Sequence, residues 1–308
     1  MIKKPNELDF SNKKLVVIIG GVAGIGKTTL ALSSPKPLLI DLDKGISRVN
    51  AKHRTDVDEV GSYEELVDDL GHSDLSAYET LVIDTGGKLL EMLKPVVIKE
   101  DAKNGKRDGN LSLQGYGAVK RKFSQFVSWL KTLGKHIVFV FHATEVRLED
   151  DTTGLRIRME GSSRDGVWDD VDAGGFIEMV GKTRTIGFSN CPRYYAKGTH
   201  NIKGLYDIPE LEDGTPNDFL TKMFKSIIDD LNTENADTVK YKELINEFKP
   251  QIENAKDEKD LNGLIDKMKK ANHILTSKEE LWFALTEKAK SLGIEYKAET
   301  KKFVKNGQ

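Results

Sequence analysis

Residues 21–28 (GVAGIGKT) constrain this chain more than any other segment. They fit the spacing G-x-x-x-x-G-K-[ST], and they follow the apolar, β-branched run LVVII at 15–19. That run reads as a buried strand feeding a tight turn. Residues 28–32, closed by Pro35 and Pro37, read as the helix that follows. In that context the glycines let successive backbone N–H groups curl inward on a phosphate. The helix N-terminus adds partial positive charge. A chance glycine turn would need neither flanking element. The expected nucleotide-binding set is Gly21, Val22, Ala23, Gly24, Ile25, Gly26, Lys27, Thr28 and Thr29, with ATP and Mg²⁺ as cofactors. Lys27 would reach the β- and γ-phosphates, and the Thr28 hydroxyl would ligate Mg²⁺.

Three more apolar runs follow: LLIDL at 38–42, TLVID at 80–84 and HIVFVFH at 136–142. Helical patterns separate them at 63–71, 88–98 and 116–133. The last of these places Val119, Phe123, Phe126, Trp129, Leu130 and Leu133 on one side. Continuous rather than alternating apolar strands, interleaved with helices, predict an α/β fold with a mainly parallel sheet flanked by helices. The polar stretch 99–114, with Gly105 and Gly109, reads as a mobile loop. From Glu145 the pattern becomes a β-hairpin with its turn at 150–154. Further strands are expected at 176–180, 184–189 and 194–198. After about residue 232 the chain turns helical and densely charged, with no glycine between Gly214 and Gly263. The expected domains are therefore a core at 1–234 and a small helical C-terminal region at 235–308. A helix over 278–292 would bury Leu281, Trp282, Leu285 and Ala289, with Gly293 as its C-cap. Beyond it lysines interleave with Tyr296 and Phe303. That mixture suits either a DNA-backbone contact with a stacked base or a solvated lysine end.

Aspartates mark the expected strand tips. Asp84 ends the third apolar run, where ligands of doubly wound sheets sit, and would hold Mg²⁺. Its competing role is as an N-cap for the next helix. Asp41 and Asp43 end the second run, and strand alternation puts both on one side. Either would orient or deprotonate an attacking water, while Asp43-Lys44-Gly45 is equally good turn chemistry. His142, at the end of the fourth run, would face and sense a γ-phosphate.

Composition excludes some classes. The longest apolar runs fall far short of the roughly 18 residues a spanning helix needs, so no membrane association is expected. The single cysteine, Cys191, forms no internal disulfide, and no secretory signal is visible at the N-terminus. Both features fit a reducing, cytoplasmic compartment. A net charge of −2 gives no general sign of nucleic acid, though local basic segments remain.

The ordered set GVAGIGKTTLA (21–31), PLLIDLDKGISRV (37–49), YETLVIDTGGKL (78–89), GKHIVFVFHATE (134–145) and YYAKGTHNI (194–202) resembles the RecA-like ATPases. More narrowly, it resembles phage-encoded AAA-type nucleotide-binding proteins, which include RecA-like single-strand annealing recombinases. The resemblance spans about residues 14–210. It implies a RecA-like P-loop NTPase core with Asp43 as catalytic base, where Glu is common. It also implies Asp84 as the metal-side aspartate with Thr85 after it, and His142 as sensor. Lys197 would serve as a cation acting on a neighbouring copy's γ-phosphate. Position 199 is Thr where Arg is common, and Arg193 is the nearby substitute.

The resemblance further implies ATP hydrolysis coupled to single-stranded DNA, assembly into homo-oligomeric rings or filaments, and a single-strand-binding protein as partner. Candidate DNA contacts are Lys99, Lys103, Lys106 and Arg107 in the polar stretch, and Arg147, Arg156, Arg158 and Arg164 around the hairpin. Acidic neighbours dilute both groups. The alternatives are a P-loop small-molecule kinase and a nucleotide-switched loader or packaging protein.

Overall fold

The structure is a computed structural model that describes residues 2–3, 8–148, 151–159, 167–212 and 214–305. Residues 12–228 form one compact unit. Its elements run β1 (Val16–Gly21), α1 (Lys27–Ala31), β2 (Pro37–Asp41), β3 (Val57–Asp58), α2 (Tyr63–His72), β4 (Thr80–Asp84), α3 (Gly86–Glu100), α4 (Leu113–Thr132), β5 (His136–Arg147), β6 (Thr153–Ile157), β7 (Ala173–Val180), β8 (Thr183–Gly187) and β9 (Leu205–Asp207). One mixed sheet has the order β3-β2-β4-β5-β1-β7-β8-β9, with β6 paired to β5. Pairings among β3, β2, β4, β5, β1 and β7 are parallel. The β5–β6, β7–β8 and β8–β9 pairs are antiparallel.

Every residue of β1 is buried, as expected for a strand covered on both faces and hydrogen-bonded on both edges. Its start is fixed by Asp172, whose carboxylate accepts the Val16 N–H (2.9 Å) and pairs with Lys13 (2.8 Å). On one face α3 and α4 pack through Leu89, Leu93, Val119, Phe123, Phe126 and Leu130. The approach is close. A Cβ on Gly86 would lie 2.3 Å from the Phe141 ring, so only glycine fits at the first turn of α3.

The structure departs from the sequence expectations in several places. Stretch 99–114 is a compact turn rather than an open loop. A short 3₁₀ turn at Ala102–Asn104 precedes a bridge between Gly105 and Leu111. Asn104 and Leu111 are buried, and the Asn104 amide donates to the Val97 carbonyl (2.8 Å). The expected fourth strand continues to Arg147 and forms the hairpin with β6. Gly154 lies inside β6, opposite Val146, rather than in the turn. Residues 149–150 lie outside the described residues. Segment 194–198 forms only isolated bridges, Cys191 to Tyr194 and Gly174 to Lys197. The short strands β3 and β9 were not foreseen.

The second compact unit comprises residues from 229 onward together with the N-terminal segment up to Ser11. Its elements are the later part of α5 (Phe219–Asn254), α6 (Glu258–Lys270), α7 (Ser277–Ser291), β10 (Ile294–Lys297) and β11 (Lys302–Lys305). The compositional boundary at 235 falls within α5. The Asn232 side chain accepts the Phe10 N–H (3.0 Å), which ties the N-terminal segment to that helix. Leu261, Leu264, Leu281, Leu285, Ala289 and Phe303 form the unit's own core. Gly293, at φ 69°, follows the end of α7. Two expectations for this tail are corrected. Trp282 is not buried with Leu281 and Leu285. It is 37% exposed and packs edge-on against Tyr296. The segment after α7 is a β-hairpin that buries Phe303, which leaves that ring no free face for a base. Among the described residues no helix is long and apolar enough to cross a membrane.

His136 opens β5 in a buried position. Its Nδ1 accepts the Leu15 N–H (3.1 Å) and its ring lies against Phe224. Burial pushes its pKa down to about 4, so the folded protein keeps it neutral. The unfolded chain takes up that proton near pH 6.5. Stability should therefore fall as pH drops from about 6.5 towards 4, by at most about 1.4 kcal/mol per pH unit. Urea unfolding at pH 7 and pH 5 should show this loss reduced in His136→Asn, whose amide oxygen can accept the same N–H. Equal losses in both proteins would exclude His136 as the cause.

Candidate nucleotide-binding site

Parallel pairing brings several strand ends to one edge. Asp41 is in register with Asp84, Asp84 with Val140, and Gly21 with both His142 and Ile177. The loop after β1 closes over this edge. Gly24 (φ 77°) and Gly26 (φ 93°) both take the left-handed conformation that lets the backbone curl. Gly26 then stands as N-cap of α1. Of the sequence-predicted residues, Gly21 ends β1, Val22 to Gly26 form the loop, and Lys27, Thr28 and Thr29 open the short helix behind it.

The charged groups sit in a dry environment. Lys27 is only 6% exposed, and its ammonium donates to the Val22 carbonyl (2.8 Å) within the loop. Burial lowers its pKa, while Asp84 and Asp43 oppose that shift. The Thr28 hydroxyl donates to Asp84 Oδ2 at 2.5 Å. Burial raises the Asp84 pKa to about 6. The neighbouring carboxylates Asp43 and Asp41 push the same way, while the Thr28 hydrogen bond and Lys27 pull it down. The competing N-cap role belongs instead to Thr85, whose hydroxyl accepts the Lys88 N–H (3.1 Å) at the head of α3. Asp84 is therefore free for the loop.

Thr28 and Asp84 suit Mg²⁺. They offer adjacent hard oxygen donors, and a dication would relieve the desolvated carboxylate. Among the described residues no three His, Cys, Asp or Glu side chains are grouped to hold a metal. A Mg²⁺ that keeps waters and phosphate oxygens needs no such group.

The two aspartates at the end of β2 have different partners. The strand ends at Asp41, so strand alternation does not extend to Asp43. Asp41 is buried, and its carboxylate accepts the N–H groups of Gly45 (2.9 Å) and Ile46 (2.8 Å). Both oxygens hold the turn together. Asp43 is partly exposed, meets Arg48 at 3.4 Å, and borders one cavity with Thr85, His142 and Arg158. Burial lowers the His142 pKa. Lys27, Arg158 and Arg48 act in the same direction, and Asp43 opposes them.

Lys197 is not brought to this cluster within its own chain. Its backbone bridges Gly174, at the level of Ile18 rather than the strand tips, and its ammonium donates to the Trp168 carbonyl (3.2 Å). Arg193 pairs with Glu178 (3.0 Å). The sequence reading missed Arg184 on β8, whose guanidinium lies against Gly26. No motif spacing marks it.

The division of labour after β2 is testable. Asp41→Ala strands two N–H groups and should lower stability by about 2–3 kcal/mol. Asp43→Asn loses a partly exposed pairing with Arg48, while the lost attraction to Lys27 is offset by relief of repulsion with Asp84, and should change stability by less than about 1 kcal/mol. Denaturant midpoints compare the two, and equal losses would contradict the assignment.

Residues 13–200, more than half of the chain, match a family model described as an AAA domain. None of the curated proteins matches the sequence. With the glycine loop, its buried lysine and the apposed threonine and aspartate already in place, the chain belongs to this AAA domain family of P-loop, ATPase-type proteins.

Proposed function

We propose that this chain is a Mg²⁺-dependent ATPase that acts on single-stranded DNA, as the phage-encoded RecA-like annealing recombinases it resembles do. The observation that carries the ATPase reading is the 2.5 Å contact between Thr28 and Asp84, which joins the phosphate loop to the metal-side carboxylate. Lys27 would leave the Val22 carbonyl for the β- and γ-phosphates. Thr28 and Asp84 would hold Mg²⁺, which neutralises phosphate charge. Asp43, at the open side of the cluster, would accept a proton from the attacking water. His142, beside it, would contact the terminal phosphate.

The DNA reading draws support from exposed cations on this unit. Lys99, Lys103, Lys106 and Arg107 are all solvent-facing around the 99–114 turn, and Arg158 is exposed beside the cavity. Arg147 is paired with Asp151, and Arg156 donates to backbone carbonyls, so both contribute less. Arg164 lies outside the described residues. In this proposal copies of the chain assemble into rings or filaments in the cytoplasm, with Lys197 or Arg193 completing a neighbour's site. A single-strand-binding protein supplies the coated substrate.

A second reading, phosphoryl transfer to a small acceptor, has one observation in its favour. The cavity beside Asp43 and His142 has a volume of about 460 Å³ and is also lined by Lys88, Tyr116 and Arg158. That is room for a small molecule.

Steady-state phosphate release with and without single-stranded DNA distinguishes the readings. DNA-stimulated turnover supports the recombination reading. Turnover indifferent to DNA but dependent on a small acceptor supports the second. Lys27→Ala should abolish turnover. Asp43→Asn should retain nucleotide binding and lose roughly 10²–10⁴-fold in rate. Parental rates in Lys27→Ala would remove the ATPase reading altogether.

A further inference from the structure

Arg184 carries chemistry that neither the family match nor the loop motif assigns. It lies on β8, paired with Met179 of β7. Met179 stands two residues beyond Ile177, the partner of Gly21, so Arg184 rises roughly 7 Å past the tip of β1, to the level of the loop. A Cβ added to Gly26 would lie 2.5 Å from Arg184 Nη1, so the guanidinium packs directly on the last glycine of the loop. Arg184 is half-buried, and among the described residues no carboxylate pairs with it. Asp218, which borders the same crevice, is engaged by Lys222 at 2.9 Å. A partly desolvated guanidinium without a protein anion, held against an anion-binding loop, is itself an anion site.

Sheet order says which anion. From β1 the carboxylate side lies towards β5, β4 and β2, with His142, Asp84 and Asp43. Arg184 lies the other way, beyond β7. From β4 to β8 is four strand spacings, roughly 19 Å. A nucleotide whose terminal phosphate faces Asp84 and Asp43 must therefore run back across the tip of β1. Its nucleoside end then points to Arg184 and the crevice formed with Thr29, Ile208, Pro209 and Asn217.

We infer that Arg184 binds, within its own chain, the phosphate nearest the nucleoside. The inference rests on the proposal that the loop holds a nucleotide, and it adds the orientation of that nucleotide and a residue that fixes it. A guanidinium fork suits a phosphate oxygen pair better than a single ammonium does. Because ADP and ATP share this phosphate, Arg184 must serve both alike.

The test is calorimetric titration of the full chain with Mg·ADP and Mg·ATP, using wild type, Arg184→Met, Arg184→Lys and Lys27→Ala. Arg184→Met should weaken both nucleotides by the same factor, roughly 10- to 100-fold. Arg184→Lys should recover part of that loss. A loss for ATP with ADP spared would put Arg184 at the terminal phosphate and overturn the inference. Unchanged affinity for both, with binding still lost in Lys27→Ala, would overturn it while leaving the nucleotide site standing. Should Arg184→Met fail to fold, Arg184→Lys decides: a common loss for both nucleotides upholds the inference, and wild-type affinity overturns it. A wild-type chain that binds neither nucleotide removes both proposals together.

Discussion

Hydrogen bonding of β1 on both edges, to β5 and to β7, is the constraint from which the rest of this protein follows. A strand paired on both edges and covered on both faces has no side open to water, so it must be apolar throughout and end abruptly. Residues 15–19 meet the first demand and the glycine loop the second. Parallel pairing also brings the C-terminal ends of β1, β2 and β4 level with Val140 to His142 of β5. The loop, Asp84 and His142 are neighbours for that reason, although 56 residues separate Thr28 from Asp84.

The price of gathering charge at a dry edge shows in the titrating groups. Burial disfavours the charged forms of both Lys27 and Asp84, and each partly offsets the other. The arrangement suits a multivalent ligand that brings both anionic and cationic charge. Asp41 illustrates a different solution. It is equally buried but is satisfied by two backbone N–H groups, so it shapes the turn that presents Asp43.

The parts of the fold legible in the sequence are those whose signal is local and physical. The apolar runs of β1, β2, β4 and β5 read directly as buried parallel strands, and the face of α4, with Leu281, Leu285 and Ala289 of α7, followed from helical spacing. Asp84 was legible because a strand end preceded it. Less was legible where tertiary contacts decide. The stretch 99–114 looks polar and glycine-rich, yet two residues, Asn104 and Leu111, pin it to α3 and α4. Trp282 sits at a core-like spacing but leans on the β10–β11 hairpin, which the lysine-rich composition concealed. Alternation says nothing about Asp43 because the strand stops two residues earlier. Arg184 left no trace because its meaning depends on a strand that returns to the loop from about 160 residues away in sequence.

The order of the strands also bears on how the chain is made. β1 leaves the ribosome first among the strands but lies between partners made much later. Leu15 and His136 are 121 residues apart, and Val16 and Asp172 are 156 apart. Until β5 and β7 emerge, a fully apolar segment has neither edge paired. Contacts of such sequence separation form slowly and leave sticky surface exposed in the meantime. The feature that gathers the nucleotide cluster thus makes the nascent protein dependent on late synthesis, and a chain stopped before residue 173 lacks one whole side of its central strand.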